Sequence, residues 1–266
     1  MHTLSRQIRF SIDPFAKEQV LGFNSYASKP YGAGLCLYLA LWVDLASPLN
    51  PDTGFVVNVS EIDKVVRRQA IPIFSKAISD AYTSQRTLSL SDLVEILRKS
   101  WRHIQKEFQA EKVVQLRLEL NPFRSLSLLA ENDEMFTYSE KFEFAAMHRL
   151  WNDRFDAKQN EAFFGKCANP AGHGHNYILE VTIQRPCQNN ADNGVVEMAR
   201  TVEENFLNLV DHKNLNVDVE GFEKLNPTVE NLAYFAWEKL AEKFKDDTLM
   251  KITVWENDRT YCSYTG

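Results

Sequence analysis

Cysteine is scarce in this chain, with four among 266 residues, and the four show none of the regular spacing of a disulfide framework. That excludes a stapled secreted scaffold and implies free thiols in a reducing compartment. Cys36, Cys187 and Cys262 lie in or beside apolar, strand-like runs and are expected to be packing residues. No apolar stretch approaches the ~18 residues of a membrane helix, and the start, Met1-His-Thr-Leu-Ser-Arg-Gln7, lacks the apolar core of a secretory leader. A cytoplasmic location is therefore expected. Basic residues are outnumbered, 30 against 36 acidic ones, and the net charge of -6 argues against nucleic acid as a partner. With 44% hydrophobic and 25% charged residues the composition is that of a globular protein, which excludes disorder and fibrous repeats. The length allows two ordinary domains or one large one.

Histidine is also scarce, and three of the six sit close together in the sequence. His148 ends the apolar run Phe144-Ala-Ala-Met-His148, and His173 and His175 open Gly172-His173-Gly174-His175-Asn176-Tyr177. In a strand, alternate side chains share a face, so His173 and His175 project together. The stretch from His175 to Ile183 alternates apolar and polar residues as a half-buried strand does, and so does Tyr138 to Ala146. Three neutral imidazoles from two such strands can hold a zinc ion and leave its fourth position open, the arrangement of a catalytic site. A His-x-His pair by itself is often only the polar face of a strand. A lone cysteine such as Cys167, ahead of a loop rich in glycine and proline, is by itself often inert.

Five segments in fixed order carry a specific resemblance. They are Phe144 to Leu150, Phe164-Gly-Lys-Cys167 through Tyr177, Val210-Asp211-His212-Lys-Asn-Leu-Asn216, Pro227-Thr228-Val-Glu230-Asn-Leu232, and Val254-Trp-Glu256-Asn257. Together they resemble the 6-pyruvoyl-tetrahydropterin synthases, from near Tyr138 to the C-terminus. Five residues separate Cys167 from His173, a spacing similar to the pyruvoyl branch rather than to the relatives that make 6-carboxy-tetrahydropterin.

The resemblance implies an α+β fold of the tunnelling type (T-fold), in which units of ββααββ order close barrels by oligomerisation. It implies Zn2+ held by His148, His173 and His175, and a homo-oligomer acting on a small pterin triphosphate, 7,8-dihydroneopterin triphosphate, with loss of triphosphate. It assigns Cys167, Asp211 and His212 to a catalytic triad completed by two neighbouring chains, and Glu256, Thr228 and Glu230 to substrate binding. From residue chemistry alone, an Asp-His pair after a helix is more often a helix-terminal polar pair, and Thr228 after Pro227 is an N-cap. A buried Glu256 without a partner would be costly, which favours a ligand for it. Proximity to zinc and an imidazole is expected to lower the Cys167 pKa. Arg149, Lys166 and Lys213 flank the motifs as candidate triphosphate contacts. Two alternatives stay open: the 6-carboxy-tetrahydropterin reaction, and a non-catalytic, zinc-containing pterin binder.

The chain is too long for one such unit, and its first half carries a faint echo of the second. The run Gly32 to Val43, after Tyr31, overlays Gly172 to Ile183 without a gap, which puts Ala33 and Leu35 where His173 and His175 stand. Pro14 takes the place of His148, and Leu120 that of Glu256. The run from Ser91 through Trp101 to Phe108 overlays the helix that starts near Val229. The expected organisation is a degenerate unit without metal ligands over 1–132 and an active unit over 133–266. Each has a four-stranded antiparallel sheet with two helices on one face. In the second unit, strands are expected near 139–147, 174–185, 250–256 and 260–265. Helices are expected near 198–210, with Met198, Val202, Phe206 and Val210 at a spacing of four, and near 229–244.

Overall fold

Residues 1–16, 21–25, 36–187, 194–223 and 225–266 are described by the structure, a computed structural model. Two units organise the chain, one centred on Met1–Tyr138 and one on Ser139–Gln184 together with 194–266. Ala33 and Leu35 of the overlay lie outside the described residues.

In the first unit, β1 (His2–Ile12), β2 (Leu37–Ser47), β3 (Lys112–Asn121) and β4 (Arg124–Leu129) pair antiparallel in that order. The register sets Ile8 opposite Leu41, Leu41 opposite Leu118 and Leu118 opposite Leu126, a cross-strand row with no exposed surface. Helices α1 (Val59–Gln69), α2 (Ile71–Thr83) and α3 (Leu90–Glu107) complete the core, with Phe10 of β1 edge-on to Phe74 of α2 at 5.5 Å between ring centres. There are three helices here where the overlay expects two. Pro72 has no N–H to continue α1, so the chain stops at Ala70 and restarts with proline in the first turn of α2, where proline is tolerated. Ser89 and Asp92 form a capping box that fixes the start of α3, close to the expected Ser91.

In the second unit, β5 (Asn132–His148) and β6 (His173–Pro186) are neighbours, and β7 (Lys213–Asn214) pairs parallel with β5 at Ala146 and Met147. β8 (Thr248–Asn257) pairs with β6, and β9 (Thr260–Tyr264) with β8. The sheet is open at β9 among the described residues, and an open edge invites pairing with another copy. Alternation holds along β6, where Tyr177, Leu179, Val181 and Ile183 are buried.

The connection from β5 to β6 carries α4 (Ala157–Phe164), which the hydrophobic pattern did not announce, and a 3-10 turn over Gly165–Ala168. The long helix after β6 begins as α5 (Gly194–Val202), passes through a π turn (Glu203–Leu207) and ends as α6 (Asn208–Val210). The π turn follows from the spacing. Residues exactly four apart from Met198 to Val210 advance about 120° too far over three turns of a 3.6-residue helix, and one wide turn restores the stripe. All four residues are buried. A short α7 (Leu215–Asp218) precedes α8 (Val229–Leu240), which ends before the expected 244 and leaves Phe244 half-buried beyond it.

No helix among the described residues is long and apolar enough to cross a membrane. The four cysteines are free thiols and half-buried.

Candidate metal centre

His148 is the last residue of β5 and His173 the first of β6, so the strand pairing alone brings them together. Gly172 makes the close approach possible. Its φ is +69°, and a Cβ there would lie 2.9 Å from the His148 carbonyl oxygen. Gly172→Ala is therefore expected to cost about 1–2 kcal/mol from backbone strain alone and to displace the end of β5. The measurements are the thermal midpoint and the retained metal, and no change in both would refute this account of the glycine.

Each of His148, His173 and His175 offers one ring nitrogen, and these nitrogens lie within 4.8 Å of one another. Such a group can hold a metal ion. His148 is 1% exposed, and its Nδ1 donates to the Pro227 carbonyl at 2.7 Å, which leaves Nε2 without a proton. That bare Nε2 faces His173 Nε2 at 3.2 Å, and His175 Nε2 is buried without a hydrogen-bond partner. Burial pushes the pKa of both His148 and His175 down, against the added proton that would otherwise reconcile these lone pairs. A cation bound by neutral imidazoles resolves the arrangement, so the donor set fits a metal.

Two further groups reach the same place. Cys167 Sγ is 3.7 Å from His173 Nε2. Glu256 of β8 sets Oε1 at 3.5 Å from His175 Nε2 and 3.8 Å from His148 Nε2. Burial and then the Glu256 charge push the Cys167 thiol up, and the lowering expected of it depends on the added positive charge of a metal.

Several supporting residues escaped the sequence reading. Tyr177 is buried on the same face as His173 and His175, its ring stacks on Phe144 at 5.0 Å, and its hydroxyl lies 3.3 Å from His148 Nδ1. Its position two residues beyond His175 was the available signal. Asn216 clamps the backbone after His148, accepting from Arg149 N at 2.7 Å and donating to the Arg149 carbonyl at 2.9 Å. Asn226 accepts from Trp151 N, and buried Asn160 ties together the turn from Asn152 to Asp156. Nothing in the local pattern singled out these asparagines, whose partners lie up to 75 residues away.

The remaining expected site residues are distributed differently. Asp211 accepts from Ala145 N at 2.8 Å, a bond that holds its carboxyl below the usual range, and lies 3.0 Å from His212 Nδ1. His212 has a positive φ of 57°, and its ring is largely exposed. The pair borders a groove with Glu143, Phe144, Ala145, Asn176, Tyr177 and Ile178, and His212 borders a second groove with Gly174 and His175. No hydrogen bond among the described residues joins the pair to Cys167. The hydroxyl of Thr228 caps α8 by accepting from Asn231 N, and Glu230 is exposed in the first turn, where its charge reaches Cys262. Arg149 is engaged, donating to the Ala168 carbonyl with its guanidinium 3.9 Å over Trp151. Lys166 is exposed beside Cys167, and Lys213 borders a groove with His212.

Residues 137–266 match the family described as 6-pyruvoyl tetrahydropterin synthase. The chain is 35% identical to human 6-pyruvoyl tetrahydrobiopterin synthase over 131 residues, which span 48% of this chain and 90% of the human one. The chain belongs to the 6-pyruvoyl tetrahydropterin synthase family. The synthase of Poecilia reticulata is 36% identical over 126 residues, covering 46% of this chain and 85% of its own. Among solved structures, that of the Caenorhabditis elegans 6-pyruvoyl tetrahydropterin synthase aligns with a TM-score of 0.47 at 31% identity, over 50% of this chain and 96% of that one. Membership therefore rests on the second unit.

Proposed function

We propose that the second unit is a zinc-dependent lyase of the 6-pyruvoyl-tetrahydropterin synthase type, converting 7,8-dihydroneopterin triphosphate with loss of triphosphate. The observation that carries this reading is the convergence of a thiol and a carboxylate on one metal-binding trio, with Cys167 at 3.7 Å from His173 and Glu256 at 3.5 Å from His175. A binding protein would need the carboxylate but not the thiol.

Zinc held by His148, His173 and His175 would supply a Lewis acid for the substrate side-chain hydroxyls and positive charge that draws the Cys167 thiol toward thiolate. Cys167 is then the base that removes a carbon-bound proton. Asp211 orients His212, which relays that proton; since no hydrogen bond among the described residues joins the pair to Cys167 of this chain, it serves the thiol of a neighbouring copy. Glu256 accepts from the pterin amino group and ring N–H, with Thr228 and Glu230 beside the ring. With Arg149 engaged internally, Lys166 and Lys213 are the candidate cations for the triphosphate. The first unit we infer to be a second copy of the same plan without ligands, a structural partner in the assembly. An active monomer by size-exclusion chromatography with light scattering would end that inference.

The deciding experiment incubates the zinc-loaded chain with 7,8-dihydroneopterin triphosphate and identifies the product by mass spectrometry. A 6-carboxy product would move the assignment to the deazapurine branch, and no product would leave a pterin binder. Glu256→Gln is expected to keep zinc but raise KM about ten- to hundredfold, the loss of one charge-assisted contact. An unchanged KM would remove Glu256 from the pterin site.

A further inference from the structure

We propose that the first unit carries a separate binding site for a phosphorylated aromatic heterocycle, between the second half of α3 and the strands β3 and β4. A cavity of about 370 Å³ opens there, within the ~300–1,000 Å³ range of small-molecule sites. Its rim holds three cations. Arg98 and Arg102, one helical turn apart, flank Trp101 on α3, and Lys112 opens β3 across from them. Part of its lining is apolar, with Val113 and Leu128 buried.

The charges on this rim are poorly balanced by the protein itself. Among the described residues Arg98 reaches only Glu95, at 3.9 Å, the outer limit of an ion pair. Arg102 and Lys112 make no ion pair or hydrogen bond among the described residues, and no carboxylate lines the cavity. In a chain with a net charge of -6, three cations converging on one concavity form a local positive field suited to an anion. Guanidinium groups match phosphate by two-point hydrogen bonding. A bare phosphate would leave the indole and the apolar lining wet, whereas a planar ring stacked on Trp101 covers both. The walls are preformed, because the Gln105 amide is engaged with the Phe108 and Glu111 carbonyls and the Val113 N–H and locks α3 to β3.

Two sources share this chemistry, a purine nucleotide and a phosphorylated pterin. Isothermal titration calorimetry on the full chain, with GTP, ATP, 7,8-dihydroneopterin triphosphate and inorganic triphosphate as probes, separates them. At least one heterocyclic probe is expected to bind saturably, about tenfold or more tighter than inorganic triphosphate. Arg102→Glu, and independently Lys112→Glu, should weaken it about tenfold or more, while this binding should persist in a His173→Ala, Glu256→Gln background, where the second-unit site is disabled. Both charge reversals are at exposed positions, and far-UV circular dichroism checks the fold. The probe that binds more tightly names the source. No saturable binding by any heterocyclic probe overturns the proposal. So does binding that both charge reversals leave intact, binding that disappears in the His173→Ala, Glu256→Gln background, or inorganic triphosphate binding as tightly as the heterocycles.

Discussion

Replacing His173 with alanine is expected to remove bound zinc and turnover together. The trio supplies three ligand nitrogens within 4.8 Å, and a catalytic zinc site has no spare protein ligand. The loss should exceed the ~10–100-fold drop in metal affinity that removing a supporting residue costs. The strand itself should survive, because β6 is anchored by the buried row from Tyr177 to Ile183 rather than by its first residue. Atomic absorption after dialysis against a chelator, with circular dichroism as the control for folding, makes the measurement. A folded His173→Ala chain that retains stoichiometric metal would show that the three imidazoles are not the ligand set.

Cys167→Ala is expected to do the reverse, keeping the metal and losing turnover by about 10²–10⁴-fold, the usual contribution of a positioned base. The thiol touches the trio only through the 3.7 Å approach to His173, while the backbone carbonyl of Cys167, which alanine retains, accepts from Leu150 N and holds the turn. The base is the thiolate, so the wild-type rate should rise with pH as the thiol deprotonates, and the alanine variant should lack that limb. Normal rates in Cys167→Ala would remove the thiol from the mechanism. The two variants also separate binding from chemistry, since one loses the ion and the other only the proton acceptor.

The local pattern of residues was enough to place His148, His173 and His175 on two strands, and the family motifs marked them as a ligand trio. His173 and His175 share a face because a strand has a period of two, and His148 ends a stretch whose apolar residues alternate. The helix stripe from Met198 to Val210 and the Thr228 cap were legible for the same reason, since helix faces and caps depend on neighbours a few residues away. The α4 helix was missed because its buried surface is slight, with only Asn160 fully enclosed, so no apolar stripe announces it.

Spacing and periodicity, then, determined which side chains could act on a metal, and family motifs determined which reaction to expect. Tertiary structure alone decided that Glu256, more than 80 residues beyond His175, lies at 3.5 Å from it, and that Asp211 is tied to the Ala145 N–H at 2.8 Å with His212 largely exposed beside it. It also decided that Arg149 serves the Ala168 carbonyl and Trp151, and that the cations of the first unit converge on one cavity. The physical reason is range. Backbone periodicity correlates residues within a turn or a pleat, whereas strand order, register and the packing of helices on the sheet bring together groups whose sequence separation carries no signal.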